Sequence, residues 1–176
     1  MKKLFALLLL VLALPAAAAP ASNSIPVNAP AVIALTDQFD VPQKLSFPAT
    51  NLTLLTIADR AGSAQIAGWL PPVKQRFGKQ IDIRGLADVS AVPAPLHGLV
   101  RKRFQKLQSY PVMMDWSGDA VRALTYEPGK ANLLLLDRRG RILKRIAGPA
   151  ADPLVRDLCA AIELALADRA APPSTP

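Results

Sequence analysis

Four consecutive leucines, Leu133 to Leu136, followed by Asp137-Arg138-Arg139-Gly140 and then Arg141-Ile142-Leu143-Lys144-Arg145-Ile146, constrain the fold more than any other stretch. A short unbroken apolar run suits a strand covered on both faces, and the DRRG that follows supplies turn chemistry. The second run is apolar but interrupted by cations, which suits the outer strand of a hairpin. Gly148-Pro149 stops it, and Asp152-Pro153 is predicted to open a helix, with the aspartate capping free amides and the proline in the first turn.

The 176 residues suit one domain able to bury a core without staples. Met1-Lys2-Lys3, the apolar Leu4 to Leu14, Pro15 and an alanine cluster have the build of a secretory signal peptide, residues 1–21, with small residues that fit cleavage after Ala18 or Ala21. No cysteine lies near that site to carry a lipid, and the apolar segment is short for a bilayer span, so the mature chain is expected to be exported without a transmembrane anchor and to be periplasmic. Residues 22–30 read as a flexible leader, 31–169 as the folded domain and 170–176 as a disordered tail. Loss of Lys2 and Lys3 lowers the formal charge from +8 to +6, still basic. A single cysteine, Cys159, excludes an internal disulfide framework.

Ahead of the leucine run, Ala31 to Leu35 and Val41 to Phe47 are predicted to pair as a hairpin, and Leu52 to Ala58 is a strong strand. Asp59 to Ser63 is a loop. Ala64 to Phe77 follows as a helix with Ile66, Trp69, Leu70, Val73 and Phe77 on one face, interrupted by Pro71-Pro72 and ended by Gly78. Gln80 to Val89 gives the next strand. A helix with the apolar stripe Leu96, Leu99, Val100, Phe104 and Leu107 is expected after it, then a strand in Pro111 to Trp116 and a short helix in Val121 to Tyr126. This order implies an α/β fold, a central mixed β-sheet flanked by helices with an N-terminal β-hairpin.

The leucine hairpin with its DRRG turn, together with Tyr110 to Asp119 (YPVMMDWSGD), resembles the thioredoxin-like and redoxin superfamily, peroxiredoxin-like and secreted thioredoxin-like proteins included, over about Leu52 to Asp168. The resemblance implies a thioredoxin-like fold. It also implies a C-x-x-C or a peroxidatic cysteine in the loop after the first core strand, and that loop, Ala58 to Gln65, reads ADRAGSAQ. The family's cis-proline would fall near Ala131-Asn132, where none stands. The chain therefore resembles a degenerate member that has lost the active-site cysteines.

Cys159 aligns with Val155, Ile162 and Leu166 at helical spacing, which places it on a buried stripe as a small hydrophobe. His97, the sole histidine, has no partner pattern for a metal, and no cofactor is expected. Trp69 reads as core and Trp116, beside a turn, as an exposed contact residue. Asp59, Arg60 and Ser63 sit where an open α/β sheet places its ligands: Asp59-Arg60 reads either as a local ion pair that caps the following helix or, with Ser63, as a site that recognises a partner, the stability of the domain then depending little on Asp59 and Arg60. Two basic clusters, Arg101-Lys102-Arg103-Lys106 and Arg138-Arg139-Arg141-Lys144-Arg145, read as solvated faces or as sites for anionic lipid, polysaccharide or acidic protein. Export and the lack of interleaved aromatics argue against nucleic acid. The leading expectation is an accessory module that binds another envelope protein. The alternatives are a redoxin-type thiol oxidoreductase using Cys159 or partner thiols, and a basic binder of anionic envelope polymers.

Overall fold

The computed structural model describes residues 28–168; the leader through residue 27 and the tail from residue 169 lie outside them. The hairpin forms from β1 (Val32–Thr36) and β2 (Pro42–Ser46), antiparallel, with Ile33 opposite Leu45. The core sheet follows as β3 (Leu52–Ala58), β4 (Ile81–Asp88), β5 (Val112–Asp115), β6 (Asn132–Leu136) and β7 (Ile142–Ala147), in spatial order β5-β4-β3-β6-β7. β3, β4 and β5 are mutually parallel, and β6 runs antiparallel to both β3 and β7. β7 is the edge strand, as its cations require.

All five residues of β6 are buried, because alternate leucines feed opposite faces. Leu133 and Leu135 join Leu54, Trp69, Val73, Phe77, Leu158 and Ile162 beneath α1 (Leu70–Phe77) and α4 (Asp152–Ala167). Leu134 and Leu136 join Ile33, Leu45, Leu55 and Ile57 beneath the hairpin and α3 (Asp119–Ala123). The hairpin also covers the free edge of β5. Asp37 bridges Met113, and buried Gln38 donates to the Gln108 and Tyr110 carbonyls while accepting the Val112 N–H at 2.8 Å. An exposed strand edge is thereby paired rather than left open to other chains.

Three local expectations are corrected. The segment 64–77 divides into a 3-10 stretch, Ser63–Gly68, and α1, whose first turn holds Pro71-Pro72, where a missing N–H costs nothing. Asp152 does not cap α4: it is the first helical residue, preceded by extended Ala151, and makes no capping bond. The third concerns α2 (His97–Leu107), where only Val100 and Phe104 pack inward, against Ala87, Val112 and Met114, while Leu96, Leu99 and Leu107 face outward. The rotation follows from the hairpin. Asp40 holds the Arg101 guanidinium at 2.6 Å and the Gln38 carbonyl accepts from Gln105 at 2.6 Å, so the polar flank of the helix turns in and half its apolar arc turns out.

Leu135 is 0% exposed in the middle of β6. Leu135→Ala is expected to cost about 2–5 kcal/mol through the cavity it leaves, read by denaturant unfolding; an unchanged midpoint would refute the central position of this strand.

Candidate functional site

The carboxyl ends of β3, β4 and β5 deliver Asp59, Asp88 and Trp116 to one end of the sheet. Sheet order separates the first and last of these by the width of β4, so the sequence-predicted Asp59 and Trp116 belong to different neighbourhoods.

At the β3 end the loop is clasped to the segment that precedes β6. The Asp59 carboxylate accepts the Gly62 N–H through Oδ1 and the Gly129 N–H through Oδ2, both at 2.7 Å. Gln65 repeats the bridge, donating to the Gly129 carbonyl at 3.2 Å and accepting the Ala131 N–H at 3.1 Å. Buried Asn132 orders the same segment from within, accepting from the Glu127 N–H and donating to the Glu127 and Lys130 carbonyls. The two loops pack so closely that a Cβ at Gly62 would stand 2.3 Å from the Lys130 carbonyl oxygen, so only glycine fits. The N–H groups of Gly62, Gly129 and Ala131 and the Gly129 carbonyl are thereby engaged within the chain. Arg60 remains exposed and unpaired with Asp59, and exposed Ser63 donates its hydroxyl to the Arg60 carbonyl.

Asp88 and Tyr126 fill the middle of the site, and sequence reasoning missed both. The Tyr126 hydroxyl donates to Asp88 Oδ2, while Ser90 donates its N–H and hydroxyl to Oδ1. Burial opposes ionisation of Asp88, but the Tyr126 and Ser90 hydrogen bonds and the Arg122 charge outweigh it and hold the carboxyl below its usual range. For Tyr126, burial, the bond to Asp88, and the Asp88 and Asp59 charges all push the phenol far up. A carboxylate at the end of a parallel strand is the signal that could have found Asp88. Nothing in local spacing pairs it with a residue in the loop before β6.

Trp116 is half-buried rather than an exposed contact residue. The His97 ring stacks on it with centroids 3.8 Å apart, and the Arg101 guanidinium lies 5.6 Å from its centre. His97 is the first residue of α2, and its Nε2 is 3.1 Å from the Val92 carbonyl oxygen.

Neither basic cluster is a uniform surface. Arg101 is engaged by Asp40 and Trp116, leaving Lys102, Arg103 and Lys106 exposed on α2. The register of β6 on β3 carries Arg138 and Arg139 to the opposite end of the sheet from Asp59. There, Arg138 is half-buried and Arg139 exposed beside a shallow groove with Phe47 and Pro48. Arg141 pairs with Asp137 and Lys144 with Asp157, each at 2.6 Å, and Arg145 donates to the Leu124 and Thr125 carbonyls. Cys159 is free and 3% exposed, packed in the core cluster under α4.

These elements define a thioredoxin-like fold whose one cysteine lies away from the loop that carries thiols in such folds. Solved structures with this fold include a Chlorobium tepidum protein assigned as the thiol:disulfide interchange protein DsbE, 19% identical, covering 81% of this chain and 99% of its own, with a TM-score of 0.61. The exposed lipoprotein thioredoxin Etrx1 of Streptococcus pneumoniae is 16% identical, covering 74% of this chain and 99% of its own, at 0.59. StoA of Bacillus subtilis is 14% identical, covering 76% and 99%, at 0.56. No family model matches the chain, and no curated protein matches its sequence.

Two stability measurements test the clasp and its neighbour. Asp59→Ala is expected to cost about 1–3 kcal/mol, because two backbone N–H groups lose their acceptor. That reverses the expectation of a residue indifferent to folding, and an unaltered melting temperature would restore it. Tyr126→Phe is expected to cost about 1 kcal/mol at neutral pH. Because the folded phenol titrates above its ordinary 10.0, the Tyr126 contribution is full below that pH and is lost as pH rises past it. The gap between wild type and Tyr126→Phe should therefore narrow in alkaline unfolding titrations, and a gap constant with pH would contradict the Asp88 bond.

Proposed function

We propose that this protein is an exported, thioredoxin-like binding module without thiol–disulfide chemistry, which recognises another envelope protein through the rim of the loop after β3. The observation that carries this reading is the clasp of Asp59 and Gln65 onto Gly129 and Ala131, at the place where a redox-active relative needs a free thiol and open backbone groups. Thiol–disulfide exchange requires an accessible thiolate. Cys159 would have to leave the core beneath α4 before it met a substrate, which disfavours the alternative of redoxin chemistry at that residue.

The rim offers recognition chemistry of another kind. Arg60 presents an exposed cation and Ser63 lies beside it; Asp59 fixes the loop on which both stand, and Trp116 borders the far side of the strand ends. Export is supported by the leader of residues 1–21 and by the likeness to a lipoprotein described as exposed. Among the described residues no helix is long and apolar enough to cross a membrane. The leader and this likeness support a periplasmic location in a cell with two membranes.

Insulin-disulfide reduction by the purified protein is expected to stay at the uncatalysed rate and to be the same for Cys159→Ser; turnover comparable to a thioredoxin would overturn the reading. Arg60→Ala combined with Ser63→Ala should leave the melting temperature unchanged and weaken capture of the partner from envelope extract. Capture undiminished by that pair would move the recognition surface elsewhere.

A further inference from the structure

The outward face of α2 has no part in the fold or in the loop just described. Leu99 and Leu107 are each 67% exposed and Leu96 is 47% exposed. At about 100° per residue, Leu99, Arg103, Lys106 and Leu107 fall within one arc of about 100°, with Lys102 on its flank. The exposed cations Lys102, Arg103 and Lys106 make no ion pair among the described residues. No acidic residue occurs from Val89 to Met114, and Asp40, the carboxylate that reaches this helix, is occupied by the inward-turned Arg101. The ties that rotate α2 seat the hairpin turn against the flank of the helix that carries Arg101 and Gln105, so the face bearing Leu99, Arg103 and Leu107 is left clear of the hairpin.

We propose that this face of α2 docks the protein on a bilayer surface carrying anionic phospholipid, with Leu99 and Leu107 entering the headgroup boundary and Lys102, Arg103 and Lys106 contacting phosphates. Single exposed aliphatic side chains standing among cations match a deformable interface that accepts each one separately. A folded acidic protein would need a matching pocket for each leucine, and a soluble anionic polymer would leave the leucines in water. Charge complementarity supplies the attraction and the leucines hold the helix at the interface. The proposal is independent of the partner reading, since it concerns a different surface.

The test is site-specific, so the apolar leader of the full chain does not enter it. An environment-sensitive dye is attached at Leu99→Cys, Cys159 being buried and protected from the reagent. Its emission should shift to the blue with vesicles of phosphatidylcholine mixed with phosphatidylglycerol. It should not shift with phosphatidylcholine alone, nor from a dye at Arg138→Cys at the far end of the sheet. Replacing Lys102, Arg103 and Lys106 together by glutamine should raise the lipid needed for half the shift on the order of 100-fold, at roughly fivefold per cation. With the dye moved to Gly98→Cys, Leu99→Ser with Leu107→Ser should raise it roughly tenfold with the charges intact. No shift at Leu99, an equal shift at Arg138, or indifference to the leucines would each overturn the proposal. In the last case the face binds polyanions by charge alone.

Discussion

The structure depends on β6 being satisfied on every side at once. Its backbone pairs with β3 on one edge and β7 on the other, and its leucines enter both cores, so no group on the strand is left to water. Burying a strand this completely is stable only if helices and a hairpin cover both faces and another strand closes its outer edge. The positions of α1 and α4 on one face, and of α3 and the N-terminal hairpin on the other, follow from that demand. So does the cationic character of β7, which meets solvent on its free side.

The same strand carries the clasp. Ala131 and Asn132 stand at its start, directly across from the loop that leaves β3, and Gly129 and Lys130 precede them. In a thioredoxin-like fold this is where a thiol meets its substrate. Here Asp59 and Gln65 bond to the opposing backbone, and the two loops meet so closely at Gly62 that not even a Cβ fits between them. A carboxylate accepting two N–H groups is a fastener, and it gives this end of the sheet a fixed shape on which exposed Arg60 is displayed.

Much of the fold was legible. Strand β3 begins and ends where its β-branched and leucine-rich composition does, and the leucine hairpin and the burial of Trp69 and Cys159 were implied by local pattern. Two of the errors share a cause. The apolar residues of α2 form an arc wider than the strip of sheet beneath the helix, so periodicity alone could not say which part turns inward; the Asp40 and Gln38 ties decided it. Trp116 looked exposed because its neighbours in sequence are turn residues, and it is covered by His97 and Arg101 from another element.

By itself the sequence determined what this protein lacks and what its centre must be. Composition cannot be altered by folding, so a chain with one cysteine on a helical core stripe has no dithiol to offer, and four leucines in a row need cover on two sides. Only the tertiary structure decided which polar groups remain available. Asp59 lies far along the chain from Gly129, as Asp88 does from Tyr126, and such pairs come together through sheet order and register. Whether a side chain faces solvent or a partner within the chain is a property of that three-dimensional neighbourhood, because hydrogen bonds are satisfied across space while sequence spacing reports only the neighbours along one element.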